Sequence, residues 1–480
     1  MDVHVSLVGR QDLSGEIYRQ LRRAILDLRL KPGEPLPPTR ELARRLSVSR
    51  TTVTVAYDRL IAEGFVQSRV GAGTFVSGGA ARTARTTRAE SGPLPHGSLR
   101  PRAVWDGITV PTPFDPPATF EFRGGLPDAA LFPQEKWRRL MWRVLRADAS
   151  VVGTYAHPAG HPDLRAAIAR HIAVARGVAA TMEDITITSG TQQALDVLAR
   201  VLLQPGDMVA VEDPGYSPPR RLFQSLGLRI VGVPVDQDGL VVDALPRRAR
   251  MVYVTPSHQY PLGVSLSLPR RHALLAWAER NDAAIIEDDY DSEFRFGGRP
   301  IEPLQTLDAA GRVVYVGSFS KTLLPALRLG FILAPPSLRA AVQKAKFVTD
   351  WHTSMLAQTT LAAFIEQGAF ARHIRKARGV YAKRHELITR IVRRELGDLL
   401  ELLPSDAGLH VAAVTRRLSA EQVAKAVQRA AAAGVGVHPL ERFAVGTTAM
   451  AGVVIGYGSI QTAAIAEGLQ RLRSCLEDLA

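Results

Sequence analysis

From Phe120 onward the chain repeats one pattern, a short apolar run of strand length followed by a stretch with helical periodicity. The runs are Ile185-Thr186-Ile187-Thr188, Met208-Val209-Ala210-Val211, Met251-Val252-Tyr253-Val254, Ala284-Ile285-Ile286 and Val313-Val314-Tyr315-Val316. Helical segments such as Gln192 to Leu203 and Pro269 to Arg280 lie between them. Continuous apolar runs are what strands buried on both faces need, and intervening helices supply the crossovers that cover those faces. Residues 118–480 therefore read as an α/β domain on a mostly parallel sheet. From about 375 the chain is richer in helix, with weaker strand signals at Val435-Gly436-Val437 and Val453-Val454-Ile455, and reads as a smaller lobe.

Residues 1–77 follow another pattern and form an N-terminal domain. Ile17, Leu21, Ile25 and Leu28 recur at helical spacing until Lys31-Pro32-Gly33 stops the helix. Thr39 is placed to cap a short helix carrying Leu42 and Leu46, and Ser49 to cap a second. In that second helix Val53, Tyr57, Leu60 and Ile61 share a face, and Gly64 ends it. Phe65 to Arg69 and Thr74 to Val76 then read as strands joined across Gly71-Ala72-Gly73. Two short helices around a tight turn, followed by a hairpin, make a winged helix-turn-helix. In that motif the second helix offers its first residues to the major groove. Ser49, Arg50, Thr51, Thr52 and Thr54 stand there, with Arg50 placed to reach guanine or a phosphate. Arg40 opens the preceding helix, and Arg69 with Gly71 and Gly73 would bring the wing to the sugar-phosphate backbone. The plainer alternative is that the hydroxyls only cap helices and the arginines only solvate a face.

Between the two domains, residues 78–117 lose all periodicity and read as a flexible basic linker containing Arg82, Arg85, Arg88, Arg100 and Arg102. The net charge of +14 points to an acidic partner, with double-stranded DNA first. A single cysteine, Cys475, leaves no internal disulfide and fits a reducing, cytoplasmic compartment. No zinc-ligand spacing is present, so no metal is expected. Met1 to Arg10 lacks a leader pattern, and no apolar run approaches the roughly 18 residues of a membrane span.

The strongest chemical string is Ser318-Phe319-Ser320-Lys321, at the exit of an apolar strand and followed by Arg328-Leu329-Gly330. A lysine between hydroxyls and near an arginine suits a Schiff base beside a phosphate. Glu287-Asp288-Asp289-Tyr290 follows another strand, where a carboxylate can keep a pyridine nitrogen protonated. Ser189-Gly190-Thr191-Gln192-Gln193 joins a strand to a helix whose first amides make an anion site. Glu212-Asp213-Pro214-Gly215-Tyr216 puts a ring at a third strand exit, ready to stack on a flat heterocycle. Each segment alone has a structural alternative; four strand exits with matching chemistry in one domain argue jointly for a site.

At this point the chain resembles a known family. Leu36-Pro37-Pro38-Thr39-Arg40-Glu41-Leu42-Ala43, Ser49-Arg50-Thr51-Thr52-Val53 and Gly71-Ala72-Gly73-Thr74-Phe75-Val76 look like the GntR-type winged helix. Later blocks, among them Gly125-Leu126-Pro127-Asp128, Thr255 to Gly263 and Asp288 to Phe294, resemble fold-type I aminotransferases. The combination is similar to the MocR/GntR transcriptional regulators. The resemblance implies pyridoxal phosphate bound as an aldimine on Lys321, with Asp288 on the pyridine nitrogen, Tyr290 on the ring phenolate and Tyr216 stacked on the ring. It further implies phosphate binding by Gly190, Thr191, Gln192, Ser318, Ser320 and Arg328, and by Tyr155 of a neighbouring subunit in a homodimer. Two positions depart from the catalytic pattern. Tyr260 stands where catalytic relatives carry an asparagine before Pro-x-Gly, and Val453-Val454-Ile455-Gly456-Tyr457 lacks the carboxylate-binding arginine. Pro218 stands where some regulators have an arginine, leaving Arg220, Arg221 and Arg442 as substitutes to test. The expectation is a DNA-binding regulator, not an enzyme, that responds to a small amino compound or to pyridoxal phosphate itself. The alternative is an active aminotransferase with a DNA-binding appendage.

Overall fold

The computed structural model describes residues 12–69, 71–77, 101–110, 118–147, 153–297, 302–446 and 450–480. The chain divides into two units, Met1–Pro101 and Arg102–Ala480.

The first unit contains helices α1 (Leu13–Leu26), α2 (Thr39–Leu46) and α3 (Arg50–Ala62), then strands β1 (Val66–Arg69) and β2 (Gly73–Val76). The strands pair antiparallel from Val66↔Val76 to Arg69↔Gly73, which is the expected wing. Ile17, Leu21, Ile25, Leu42, Val53, Ala56, Tyr57 and Leu60 form its core with Val66 and Val76. Three expectations need correction. Leu28 lies beyond α1 in a left-handed conformation (φ 57°) and is 45% exposed, because the chain turns there and Leu30 takes the core place. Pro38, not Thr39, stands at the cap of α2, and Thr39 is its first residue. Ile61 is 38% exposed, since one residue past buried Leu60 is a rotation of about 100° away from the core; Ala56 fills the stripe instead.

Of the stretch read as linker, residues 101–110 are described and Arg82, Arg85, Arg88 and Arg100 lie outside the described residues. Ala103–Gly107 is a 3-10 turn, Arg102 Nη2 donates to the Ser225 carbonyl at 3.2 Å, and Arg221 Nη1 donates to the Thr109 carbonyl at 3.0 Å. This end of the stretch is therefore held on the large unit.

In the second unit strand numbering continues with β3 (Phe120–Glu121). An eight-stranded sheet follows, made of β4 (Ile185–Thr188), β5 (Met208–Asp213), β6 (Arg229–Asp236), β7 (Gly239–Leu240), β8 (Ala249–Val254), β9 (Ala284–Asp289), β10 (Val313–Ser318) and β11 (Gly330–Leu333). Its order is β4-β11-β10-β9-β8-β5-β6-β7. The central strands are parallel, while β11 runs against both β10 and β4, and β7 against β6. Successive residues face opposite sides. Val209, Val211, Tyr253, Ile286 and Val316 pack under Leu195, Leu198 and Phe223 on one face. Ala210, Val252, Val254 and Ile285 pack under Leu274 and Trp277 on the other. Five strands sit where the apolar runs predict; β6 and β11 lie outside those runs, and Gly232 and Pro234 interrupt β6.

The smaller lobe holds the sheet β12 (Glu401–Leu402), β13 (His410–Val414), β16 (Gly452–Gly456) and β15 (His438–Pro439), in that order. Its core joins Val411, Val453 and Ile455 to Tyr381, Ile388, Leu469 and Leu472 of the helices Ala369–Glu395 and Ile465–Glu477. Phe120 and Phe122 belong to this core, and β3 pairs parallel with β14 (Val435–Gly436). The lobe thus includes the start of the domain, which a boundary at about 375 missed, because two-residue strands leave no periodicity to read.

Candidate functional site

The C-terminal ends of β5, β8, β9 and β10 open into a cavity of about 250 Å³ between the large sheet and β13. Lys321 reaches it from a loop anchored by buried Phe319, whose backbone N–H bonds the Leu329 carbonyl at 3.0 Å. Lys321 Nζ donates to the Gly125 carbonyl at 2.6 Å. Gly125 has φ +88°, a left-handed conformation that suits glycine. Burial lowers the Lys321 pKa, against the opposing pull of Asp291 and Asp288.

The acidic run resolves by strand alternation. Glu287 turns away and accepts from the Leu304 and Gln305 amides at 3.0 and 2.9 Å. Asp289 pairs with Arg176 at 2.8 Å and accepts from Tyr315 at 2.6 Å. Asp288 alone faces the cavity. Its Oδ2 accepts from Tyr253 Oη at 2.7 Å, while Oδ1 is buried with no protein partner. Burial drives the Asp288 carboxyl up to about 7.

Thr191 and Gln192, at the N-terminus of helix Thr191–Leu202, line the cavity with Ser318, Ser320 and Arg328. The first turn of that helix leaves amide donors free for an anion. Gly190 (φ +81°) precedes it; a Cβ there would come within 2.9 Å of Arg328 Nη2, which donates to the Ser189 carbonyl at 2.9 Å. Tyr216 also lines the cavity, edge-on to Tyr260 at 5.7 Å. Tyr290 also lines the cavity, and its hydroxyl donates to the His258 carbonyl at 2.9 Å. Tyr155 does not enter this cavity: it is 77% exposed and stacks on Trp351 at 4.4 Å.

Several members of the site lie outside the residues singled out from sequence. His258 Nδ1 sits 3.0 Å from Asp291 Oδ2, and its Nε2 sits 3.1 Å from Ser405 Oγ, bracing the strand ends behind Tyr290. Gly408 leaves room for this brace, since a Cβ there would lie 2.1 Å from His258 Cε1. His410 lines the cavity, with Nε2 against the Pro261 carbonyl at 3.1 Å and its pKa pushed well below the usual value by burial. Arg220 donates to the Ala444 carbonyl and Arg221 to that of Thr109. Among the described residues neither they nor Arg442 line the cavity.

In the first unit Ser49 Oγ accepts from the Thr52 amide at 3.0 Å and so caps α3. Thr54 Oγ1 donates to the Arg50 carbonyl at 3.0 Å. Arg40, Ser49, Arg50 and Thr51 are exposed, as are Arg69, Gly71 and Gly73 on the wing. The Arg69 guanidinium lies 4.9 Å over the Phe75 ring, and Gly71 (φ 76°) and Gly73 (φ 110°) make the turn.

Comparison with known proteins decides what these two units are together. Residues 13–76 match the family of bacterial regulatory proteins of the gntR family, and residues 127–472 match aminotransferase class I and II. The chain is 40% identical to the "Probable rhizopine catabolism regulatory protein MocR" of Rhizobium meliloti, over 96% of this chain and 92% of that one. The chain belongs to the MocR/GntR regulators. A second member, the "HTH-type pyridoxine biosynthesis transcriptional regulator PdxR" of Corynebacterium glutamicum, is 35% identical over 92% of this chain and 91% of that protein. Among solved structures, the alpha-aminoadipate aminotransferase LysN of Thermus thermophilus, complexed with N-(5'-phosphopyridoxyl)-L-leucine, is 32% identical with a TM-score of 0.68. It covers 75% of this chain and 92% of that one.

The cofactor of this MocR/GntR regulator is pyridoxal phosphate, and the cavity fits it. A buried carboxylate oxygen without a partner is costly unless a donor arrives, and a protonated ring nitrogen is such a donor. At the other end, helix amides, two serines and Arg328 match a phosphate dianion.

Proposed function

We propose that the protein is a sequence-specific transcriptional regulator that carries pyridoxal phosphate on Lys321 and changes its operator binding when an amino compound, or the cofactor itself, enters this cavity. The observation that carries the reading is the convergence of Lys321, the unpartnered Asp288 oxygen and the anion-binding helix end in one cavity. When bound, the cofactor supplies a carbonyl carbon that exchanges between amines. The protein's own residues do the rest. Lys321, its pKa lowered by burial, offers a neutral amine at neutral pH more readily than a free lysine does. Asp288 holds a proton on the ring nitrogen, and Tyr216 covers the ring face. Tyr290, whose hydroxyl donates to the His258 carbonyl, would hold the ring phenolate. Gly190, Thr191, Gln192, Ser318, Ser320 and Arg328 grip the phosphate.

At the DNA, Arg40, Ser49, Arg50, Thr51, Thr52 and Thr54 face the major groove and its phosphates, and Arg69, Gly71 and Gly73 carry the wing to the backbone. The protein acts as a homodimer. The exposed stack of Tyr155 on Trp351, with Phe347 edge-on at 4.9 Å, is the aromatic surface a partner would cover, which brings Tyr155 to the neighbour's phosphate.

The test is operator binding by the full chain, with duplexes selected from a random pool. Affinity is measured without cofactor, with it, and with added amines, for wild type and Lys321→Ala. Wild type should respond to loading or to an amine, and the variant should not. An unchanged amine response in Lys321→Ala would sink the reading. Steady turnover of amino donor and keto acid would favour an active aminotransferase, to which the likeness to LysN lends support.

A further inference from the structure

The cavity contains two cationic side chains among the described residues, Lys321 and Arg328. Lys321 is the amine that would be displaced, and Arg328 stands with the helix amides at the anion-binding end. The rest of the wall is uncharged or acidic. Asp288 and Asp291 face the cavity, and His410 is held neutral by burial. Tyr260, which lines the cavity, closes the side next to Gly124, its Oη 3.3 Å from where a Gly124 Cβ would be. Val454 is fully buried in an apolar cluster with Tyr260, Ala412, Leu440 and Phe443. Arg442 lies outside this lining, near enough for its charge to act on Tyr260, and Arg220 is spent on the Ala444 carbonyl.

A carboxylate or sulfonate on an entering amine would lose its water against this wall with no cation in the described lining to receive it, and with two carboxyls nearby. Burying an unpaired anion is among the most costly steps in molecular recognition. The geometry points to a ligand that is a primary amine carrying no anionic group, with its uncharged substituent against Tyr260, Leu409 and His410. This rests on the reading that the cofactor is held on Lys321. The exchange balances without a co-reactant: the incoming nitrogen takes over the C=N bond as Lys321 leaves as a free amine. The inference excludes α-amino acids and aminosulfonates as the natural signal and leaves neutral-bodied amines.

The experiment uses the full-length, cofactor-loaded protein and matched pairs that differ in one carboxylate: 2-phenylethylamine against L-phenylalanine, and ethanolamine against L-serine, with taurine as the sulfonate. The readouts are the visible absorption band and the midpoint of thermal unfolding. Each amine should perturb the band at a concentration at least tenfold lower than its carboxylated partner, and taurine should leave it unchanged. Equal or stronger responses to the amino acids or taurine would overturn the inference. So would a loaded protein whose band moves with none of the compounds, whereas failure to acquire any band would defeat the underlying reading of Lys321. Leu409→Arg places a cation in this wall and should invert the preference. Because that change puts a charge into an apolar cluster, Tyr260→Asn serves as the second variant, expected to narrow the amine preference at least threefold.

Discussion

Asp288 and Asp289 are adjacent, both acidic and both buried, and they do different things because a strand alternates its faces. Asp288→Asn keeps the size of the side chain but removes the charge that would hold a proton on the ring nitrogen. Cofactor affinity should fall at least tenfold, about 1.4 kcal/mol, in a spectral titration. Asp289→Asn should instead leave Arg176 buried without its counter-charge, costing about 3 kcal/mol in denaturant unfolding. If both variants behaved alike, the assignment of faces would be wrong. A pH prediction follows from the same carboxyl. Asp288, Glu212 and Glu287 are each pushed up to about 7 by burial. Between about pH 4 and 7 the native cofactor-free protein holds protons that the unfolded chain has released, so these groups make stability fall as pH rises through that interval. Asp288→Asn, which cannot ionise, should therefore gain in thermal midpoint relative to wild type on going from pH 5 to pH 8. A difference independent of pH would refute it.

Legibility at this scale followed chemistry that announces itself. A lysine between Ser320 and Thr322 and an acidic run at a strand end carry a local pattern. Tyr253, which holds Asp288, looked like any aromatic in an apolar strand. His258 and Asp291 follow the neighbouring strands β8 and β9, and Ser405 and His410 reach His258 from the smaller lobe, a meeting that no spacing in the chain encodes.

At the scale of elements, α3 depends on its first turn. Ser49 Oγ is both its cap and, in the proposed reading, part of the DNA-facing edge. Ser49→Ala should cost about 1 kcal/mol of winged-helix stability, seen as a lower unfolding midpoint for that unit. Arg50→Ala removes no cap and no core contact, so it should leave the midpoint within about 0.5 kcal/mol while weakening operator binding. If Arg50 contacts phosphate, the dependence of log affinity on log salt should become shallower by about one. If it reads guanine, the loss should instead fall on one base position. Elements with long or strongly patterned segments were readable from sequence: α3, the wing and five sheet strands all sit where their residues predict. β3, β6, β7, β11, β12, β13 and β15 were not. β3 carries Phe120, and Phe122 just after it, into the smaller lobe through tertiary pairing with β14, a long-range choice that no local propensity determines.

On the scale of the whole molecule, the two units have separate cores: the winged-helix cluster draws only on residues before Ser77, and the sheet clusters only on residues after it. Heating should therefore resolve two transitions. A ligand that binds the native state of one unit stabilises that unit, by about 2.7 kcal/mol at a hundredfold excess over its dissociation constant. Pyridoxal phosphate should raise the transition of the large unit and, without DNA, leave that of the winged helix in place. Regulation nevertheless requires the units to be coupled, and coupling between two binding sites is reciprocal. If an amine or the cofactor changes operator affinity by some factor, operator DNA must change the affinity for that ligand by the same factor. Titrating the amine by absorbance with and without saturating operator should reproduce the ratio found from DNA binding with and without saturating amine. A response of the DNA affinity with no matching shift in the absorbance titration would mean that the ligand acts somewhere other than the Lys321 cavity.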